Sequence, residues 1–262
     1  MKLTAHAADG RRLVGEIHGP TDAPALLFLN SVGCDRSLWD AQVAALSAAF
    51  RCIVFDARGH GESDAPTGDY TLAQLGSDAL AILDAATVER AHLCGLSLGG
   101  LIAQWLATRA PDRVASLTLA NTGIRIGSFE SWTARIELVL AEGLEAIADA
   151  AMERFFSDAF RRSHPAVVAE WRRRLAAVPA AGYAGCCAVL RDADLSPDVG
   201  RITAPTLVIG GAFDVATPPD LAAALAAAIP GAQLEILSAA HLSNLEQAAA
   251  FTAALRTHLE VA

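Results

Sequence analysis

The sequence predicts a single α/β domain built on a mostly parallel β-sheet, with helices on both faces of the sheet. Short apolar runs of the kind found in buried parallel strands alternate with stretches of helical period. The 262 residues are enough for one large core, and 53% of them are hydrophobic while 19% are charged. This composition excludes a disordered, collagen-like or coiled-coil protein.

The alternation follows a predicted hairpin, in which strands Lys2–Ala7 and Arg12–His18 flank the turn signal Asp9-Gly10. Strands and helices then take turns along the first half of the chain, beginning with a strand: Ala25–Asn30, Ser37–Ala49, Arg51–Phe55, Thr71–Ala85, Ala91–Cys94, Leu98–Arg109 and Val114–Ala120. Alternation of this kind predicts a parallel sheet that is covered on both faces.

A central segment interrupts the alternation. It has no strand-like run, and its periodicity indicates four amphipathic helices, Ser131–Ala141, Leu144–Phe156, Pro165–Ala177 and Gly182–Asp192. The earlier pattern then resumes with a strand, a helix, a strand and a helix: Thr206–Gly210, Pro219–Ile229, Gln233–Leu237 and Asn244–Leu259. We expect residues 1–125 and 197–262 to form the core, and residues 126–196 to form a helical cap over the sheet edge where ligands bind.

Charge and cysteine content exclude several classes of function. The chain has 20 Lys and Arg against 29 Asp and Glu, a net charge of −9, and no basic run beyond Arg172–Arg174, so nucleic acid is not an expected partner. Lys2 is the only lysine, which argues against Schiff-base chemistry. The five cysteines show no CxxC spacing, and we see neither a signal peptide nor a membrane span, so we expect a cytoplasmic protein.

A nucleophile elbow is indicated by Gly95-Leu96-Ser97-Leu98-Gly99, which lies between a predicted strand and a predicted helix. The turn is so tight that neighbouring positions need hydrogen in place of a Cβ atom, and it lifts the serine hydroxyl onto the helix N-terminus. The pattern alone is weak, so its strand-and-helix context carries the argument. We expect Ser97 to be the nucleophile of a serine hydrolase.

A serine nucleophile needs a base, and the base needs an acid that orients it. Where this elbow occurs, the acid and then the histidine follow the serine along the chain. His241 follows the predicted strand Gln233–Leu237, and Asp214 follows the strand before it, so we expect both at the sheet edge that carries the elbow. The other position at which an acid could stand, after strand Val114–Ala120, offers Asn121 and Thr122. Neither is a carboxylate, which favours Asp214 as the third member of the triad.

The expected oxyanion-hole donors are the backbone N–H groups of Val32 and Leu98. Leu98 directly follows the nucleophile, and Val32 lies in the loop after the first parallel strand. His60 lies in a polar loop that precedes the nucleophile, and we expect this loop to brace the structure. The histidines show no metal-ligand spacing and GxGxxG is absent, so neither a metal nor a cofactor is expected.

Longer segments, in the core and in the cap, carry a more specific resemblance: Leu29–Gly33, Gly95–Gly100, Arg154–Ser157, Gly182–Cys187 with Arg191–Asp194, and His241–Gln247. By these segments the chain resembles the α/β-hydrolase fold family throughout, and the 3-oxoadipate enol-lactonase family within it. The resemblance implies an α/β-hydrolase fold with a helical cap and a cofactor-free reaction. That reaction would be hydrolysis of the enol-lactone to 3-oxoadipate in the β-ketoadipate pathway of aromatic catabolism.

The substrate implied by this resemblance carries a free carboxylate, which needs a cation in a partly dry pocket. Arg125 follows the strand that precedes the cap, Arg135 lies near Trp132 on the first cap helix, and Arg191 lies at the far end of the cap. These four residues are the candidate substrate-binding residues.

Other functions remain open at this point. A generic carboxylesterase, another lactonase or a cofactor-free haloperoxidase-like hydrolase would use the same triad. A small-molecule receptor with little turnover could also keep it. A dehalogenase or an epoxide hydrolase is not expected, because those chemistries use an aspartate where Ser97 stands.

Overall fold

The computed structural model describes residues 1–261 and confirms the mostly parallel sheet. Within these residues the sheet has eight strands in the order β1-β2-β4-β3-β5-β6-β7-β8. The strands are β1 Lys2–His6, β2 Arg12–His18, β3 Ala25–Leu29, β4 Arg51–Phe55, β5 Ala91–Leu96, β6 Val114–Ala120, β7 Thr206–Gly211 and β8 Gln233–Leu237. The two pairings made by β2 are antiparallel, and the pairings from β4 to β8 are parallel.

Eleven α-helices lie within the described part of the chain. They are α1 Asp40–Leu46, α2 Leu72–Ala85, α3 Leu98–Arg109, α4 Phe129–Glu142, α5 Glu145–Phe155, α6 Asp158–Ser163, α7 Pro165–Ala176, α8 Ala180–Asp192, α9 Pro219–Ala228, α10 Ser243–Glu246 and α11 Ala248–Val261. Helix α1 packs against α11, α2 packs against α3, and α3 lies on β5 and β6. Strands β3, β4 and β7 are buried along their whole length, as their continuous apolar runs predict.

Between β6 and β7 the chain forms five helices rather than the four that the periodicity predicts. The additional one, α6, has six residues and no buried side chain, so it has no apolar stripe that a period could reveal. Helix α4 packs against α8, and α5 packs against α7. The core segment predicted over residues 197–262 extends by its last residue, Ala262, outside the described residues.

Helix α8, which lies in the segment predicted to form the cap, contacts the core through two glycines. A Cβ atom at Gly182 would lie 2.3 Å from the carbonyl oxygen of Gly59, and a Cβ atom at Gly59 would lie 2.6 Å from the Cα atom of Gly182. Only glycine at both positions allows the two backbones to approach so closely. No helix in residues 1–261 combines the length and the apolar character that crossing a membrane would need.

Candidate active site

Ser97 lies in the one-residue turn between β5 and α3. Its backbone has φ 57° and ψ −114°, an unfavourable conformation for a residue with a side chain. A Cβ atom at Gly95 would lie 2.3 Å from the carbonyl oxygen of Gly99, and one at Gly99 would lie 2.1 Å from that of Leu29. The glycines flanking Ser97 are therefore required by backbone approach, which is the geometry of a nucleophile elbow.

His241 and Asp214 form a buried hydrogen-bonded pair. The distance from His241 Nδ1 to Asp214 Oδ2 is 2.8 Å, and both side chains are almost fully buried. Asp214 Oδ1 also accepts the N–H groups of Ala216 and Thr217, at 2.8 and 2.9 Å. Burial on its own raises the pKa of Asp214, but the charge of His241 and the hydrogen bonds from His241 and Thr217 outweigh it and hold the pKa below its usual value. The carboxylate is thus ionised and can orient the imidazole.

Asn121 adds a contact that the sequence did not indicate. Its Nδ2 donates to Asp214 Oδ2 at 2.9 Å and to the carbonyl oxygen of Ala240 at 3.2 Å, and its Oδ1 accepts the Ser243 hydroxyl. Asn121 follows β6 and has a positive φ of 44°. One buried amide therefore holds the acid and the loop that carries His241 together.

A cavity of about 320 Å³, between the core and the helices inserted after β6, is lined by several of the predicted residues. Ser97, His241 and Val32 line it from the core, and Asp214 contacts His241 from behind. The cap supplies aromatic and cationic side chains from α4, α5 and α8, namely Trp132, Arg135, Arg154, Phe155 and Tyr183. The Phe155 ring lies roughly parallel to the His241 ring, with centroids 6.2 Å apart.

Val32 belongs to a tight turn in which the N–H group of Cys34 donates to the carbonyl oxygen of Ser31 at 3.2 Å. Gly33 has φ 81° in this turn, and its N–H group donates to His60 Nε2 at 2.9 Å. Among residues 1–261, no acceptor takes a hydrogen bond from the N–H group of Val32 or of Leu98. Both amides thus have the free donor that an oxyanion hole needs.

His60 holds this turn in place through its hydrogen bond with Gly33, as expected for a loop that braces the structure. A backbone N–H can only donate, so the Nε2 atom that accepts from Gly33 carries no proton. The other ring nitrogen, Nδ1, lies 3.4 Å from the carbonyl oxygen of Arg58. Burial lowers the pKa of His60 to about 4, so the ring is neutral at pH 7.

Two arginines of the cap line the cavity, and only one of them, Arg135, was expected from the sequence. Arg135 lies over the Trp132 ring, 5.8 Å from its centroid. Arg154 was missed, because the sequence does not say which face of a cap helix lines a cavity. Among residues 1–261, neither guanidinium forms an ion pair within 4.0 Å with a carboxylate. Burial, and then the charge of Arg135, lower the pKa of Arg154.

The other two candidate arginines lie outside this cavity. Arg125 is about half exposed and lies 4.0 Å from Asp194. Arg191 forms ion pairs with Asp69 at 2.9 Å and Asp192 at 2.7 Å. Both charges are therefore compensated by neighbouring carboxylates. The sequence arguments, from a strand end for Arg125 and from the far end of the cap for Arg191, did not account for those carboxylates.

The known proteins that match this chain include two enol-lactonases and a putative carbamate hydrolase. 3-Oxoadipate enol-lactonase 2 of Acinetobacter baylyi is 42% identical over 237 residues, which cover 90% of this chain and 89% of that protein. A putative carbamate hydrolase of Variovorax paradoxus is 34% identical over 247 residues, with 92% and 93% covered. The crystal structure of the enol-lactonase from Burkholderia xenovorans superimposes with a TM-score of 0.96 at 41% identity, covering 98% of this chain and 99% of that one.

The family assignment follows from the elbow, the sheet and these matches together. Residues 24–248 match the alpha/beta hydrolase fold family, a span that includes Ser97, Asp214 and His241. The chain belongs to the α/β-hydrolase family.

Proposed function

We propose that this protein is a serine hydrolase that opens 3-oxoadipate enol-lactone to 3-oxoadipate. One observation carries the proposal beyond a generic esterase: Arg135 and Arg154 share a cavity with Ser97 and His241 and have no carboxylate partner of their own among residues 1–261. A pair of partly buried cations is favourable when an anion binds between them. The enol-lactonase relatives support this choice of acidic substrate.

The first half of the reaction acylates the serine. Asp214 accepts the Nδ1–H of His241, which leaves Nε2 as the base that removes the Ser97 hydroxyl proton. The Ser97 oxygen then adds to the lactone carbonyl carbon, and the N–H groups of Val32 and Leu98 stabilise the oxyanion that forms. The ring C–O bond breaks, and His241 returns its proton to the departing enol oxygen.

The second half releases the product. The opened enol stays attached to the acyl chain and tautomerises to the ketone, so no separate leaving group departs. Water gives a proton to His241 and adds to the acyl carbon, after which Ser97 leaves and recovers the proton. The product has two carboxylates, one that came with the substrate and one formed at Ser97.

The cap selects the substrate in this proposal. Residues 126–196 form the cap, and the guanidinium groups of Arg135 and Arg154 bind the free carboxylate. The Trp132 and Tyr183 side chains exclude water around it, which strengthens the ionic interaction. We place the enzyme in the cytoplasm, and the five buried free thiols support a reducing compartment.

The test is an ultraviolet assay of the purified protein with freshly generated enol-lactone, with Ser97→Ala measured alongside. We expect the wild type to hydrolyse the lactone in preference to p-nitrophenyl acetate, and Ser97→Ala to lose on the order of 10⁴-fold in kcat/KM. Lactone turnover that survives in Ser97→Ala would contradict the covalent mechanism. Equal efficiency on both substrates in the wild type would instead indicate a generic carboxylesterase.

A further inference from the structure

Two of the segments that carry the family resemblance, Arg154–Ser157 in the cap and His241–Gln247 in the core, meet at the carboxylate of Glu246. Its Oε2 accepts the N–H group of Ser157 at 3.0 Å and the N–H group of Ala240 at 3.1 Å. Its Oε1 accepts the Ser157 hydroxyl. One carboxylate on α10 therefore joins the end of a cap helix to the loop that carries His241.

A second connection runs alongside the first. The N–H group of Leu242 donates to the carbonyl oxygen of Phe155 at 3.0 Å, and the Phe155 ring stacks on His241. The Ser157 hydroxyl oxygen also accepts the N–H group of Phe160. This hydrogen bond caps the N-terminus of α6 and fixes where that helix begins. The C-terminal end of α5 is thus fixed relative to the His241 imidazole by the contacts of Phe155 and of Ser157.

The charge of Glu246 is compensated by these donors alone. The carboxylate is half buried, and among residues 1–261 no Arg, Lys or His nitrogen lies within 4.0 Å of it. A partly buried carboxylate is costly unless it is hydrogen-bonded, and bonds to an ionised acceptor are stronger than neutral ones. Its three donors come from two sides of the site, so separating the cap from the loop of His241 would leave the charge poorly solvated.

Arg154 is the residue that this arrangement positions in the cap. It lies in the last turn of α5, directly before Phe155, and it lines the cavity with His241. No ion pair with the described residues holds its guanidinium, so its placement depends on where the helix end lies. A shift of that helix end would therefore move the substrate's ionic partner relative to Ser97.

We propose that Glu246 is a positioning residue that keeps Arg154 and His241 in register, and so couples carboxylate binding in the cap to catalysis in the core. The proposal rests on the proposed role of Arg154 in binding the substrate carboxylate. Glu246 touches neither the substrate nor Ser97. It acts on binding through the end of α5, and on the chemical step through Ala240 and His241.

The experiment measures two constants in the whole chain, kcat with p-nitrophenyl acetate and the inhibition constant of adipate. The neutral ester reports the triad, and adipate, a dicarboxylate, reports the arginines. We expect Glu246→Ala to lower kcat about tenfold and to raise the inhibition constant of adipate about tenfold, because three hydrogen bonds to a charged acceptor are lost. In the Arg154→Ala background, Glu246→Ala should no longer raise the inhibition constant of adipate, since Glu246 acts through that arginine.

Ser157 provides a milder variant and a rescue. We expect Ser157→Ala, which removes one hydroxyl donor, to change both constants in the same direction by less, and Ser157→Thr to restore them. If Glu246→Ala does not fold, this pair of variants decides the question. The control is Asp149→Asn, which breaks an ion pair with Arg172 at 2.6 Å on the same helix α5 and should leave both constants unchanged.

Two results would overturn the proposal. In the first, Glu246→Ala and Ser157→Ala lower the unfolding temperature but leave kcat and adipate binding as in the wild type. In the second, Glu246→Ala raises the inhibition constant of adipate by the same factor in the wild type and in the Arg154→Ala background. Neither constant depends on the lactone, so a wild type that does not hydrolyse enol-lactone would contradict the proposed function and leave this test intact.

Discussion

A single buried residue, His60, holds the turn that forms part of the proposed oxyanion hole. Its neutral ring accepts the N–H group of Gly33 and so fixes the turn that contains Val32. A proton on Nε2 would replace an acceptor with a second donor and break this hydrogen bond. The backbone of the proposed oxyanion hole therefore depends on His60 staying neutral.

His60→Gln tests this dependence through the effect of pH on stability. The pKa of His60 falls from its ordinary value near 6.5 to about 4 on folding, so between these pH values the unfolded chain binds a proton that the folded chain does not. The free energy of unfolding of the wild type should therefore decrease as pH falls through this window. Glutamine can accept the hydrogen bond from Gly33 without titrating. Between pH 7 and pH 4.5 the free energy of unfolding of the variant should therefore decrease by about 1–3 kcal/mol less than that of the wild type.

Urea unfolding at a series of pH values measures this difference. His92 and His258 also have lowered pKa values, caused by burial, and they contribute equally to both proteins. Parallel pH profiles for the wild type and His60→Gln would show that His60 is not the titrating group.

The sequence indicated some of the site residues and could not indicate others. Each of the three triad candidates, Ser97, Asp214 and His241, follows a strand. Their positions after strands and their order along the chain were enough to name them as candidates. Arg154 required knowledge of which side of α5 lines the cavity. The contact of Asn121 with Asp214 joins residues 93 positions apart, which no local pattern reveals.

Among the helices and strands, the approach of α8 to the core depends on the absence of side chains at Gly59 and Gly182. We expect Gly182→Ala to destabilise the protein by about 1–3 kcal/mol, because the new methyl group overlaps the Gly59 backbone. It should also raise KM for the lactone, since α8 carries Tyr183 into the cavity.

Gly200→Ala is the matched control for this variant. A Cβ atom at Gly200 would meet its nearest neighbour, the carbonyl oxygen of Ala228, at 3.8 Å, an ordinary contact distance. Thermal unfolding and lactone KM of both variants decide the matter. A Gly182→Ala protein as stable and as active as Gly200→Ala would contradict the close approach of α8.

Periodicity predicted most of the helices and strands but not every boundary. The helix expected over Asn244–Leu259 is interrupted at Gln247, where the backbone has φ −124° and ψ 47° and the side chain donates to the carbonyl oxygen of Ser238 at 3.1 Å. This break separates α10, which carries Glu246, from α11. A helical pattern in the sequence does not contain such a contact between distant parts of the chain.

For the whole molecule, the sequence was sufficient to predict the class of fold. It was not sufficient to predict the order of the strands in the sheet or the packing of the inserted helices on the core. Buried apolar runs and their alternation with helices predicted a parallel sheet, and the segment without strands predicted an insertion before β7. The spatial order, with β4 between β2 and β3, depends on crossovers that composition does not encode. The cavity forms where the helices of the insertion pack on the core. This packing likewise depends on contacts between residues that are distant in the sequence.

We propose that the cavity between the cap and the core selects an acidic lactone for Ser97 through Arg135 and Arg154. The most direct measurement is kcat/KM for the enol-lactone and for p-nitrophenyl acetate in the wild type and in the Arg135→Ala/Arg154→Ala double variant. We predict that lactone efficiency falls about 100-fold, because the substrate carboxylate loses its buried partners, while efficiency on the neutral ester is nearly unchanged. An equal loss on both substrates, or no loss on the lactone, would contradict the claim.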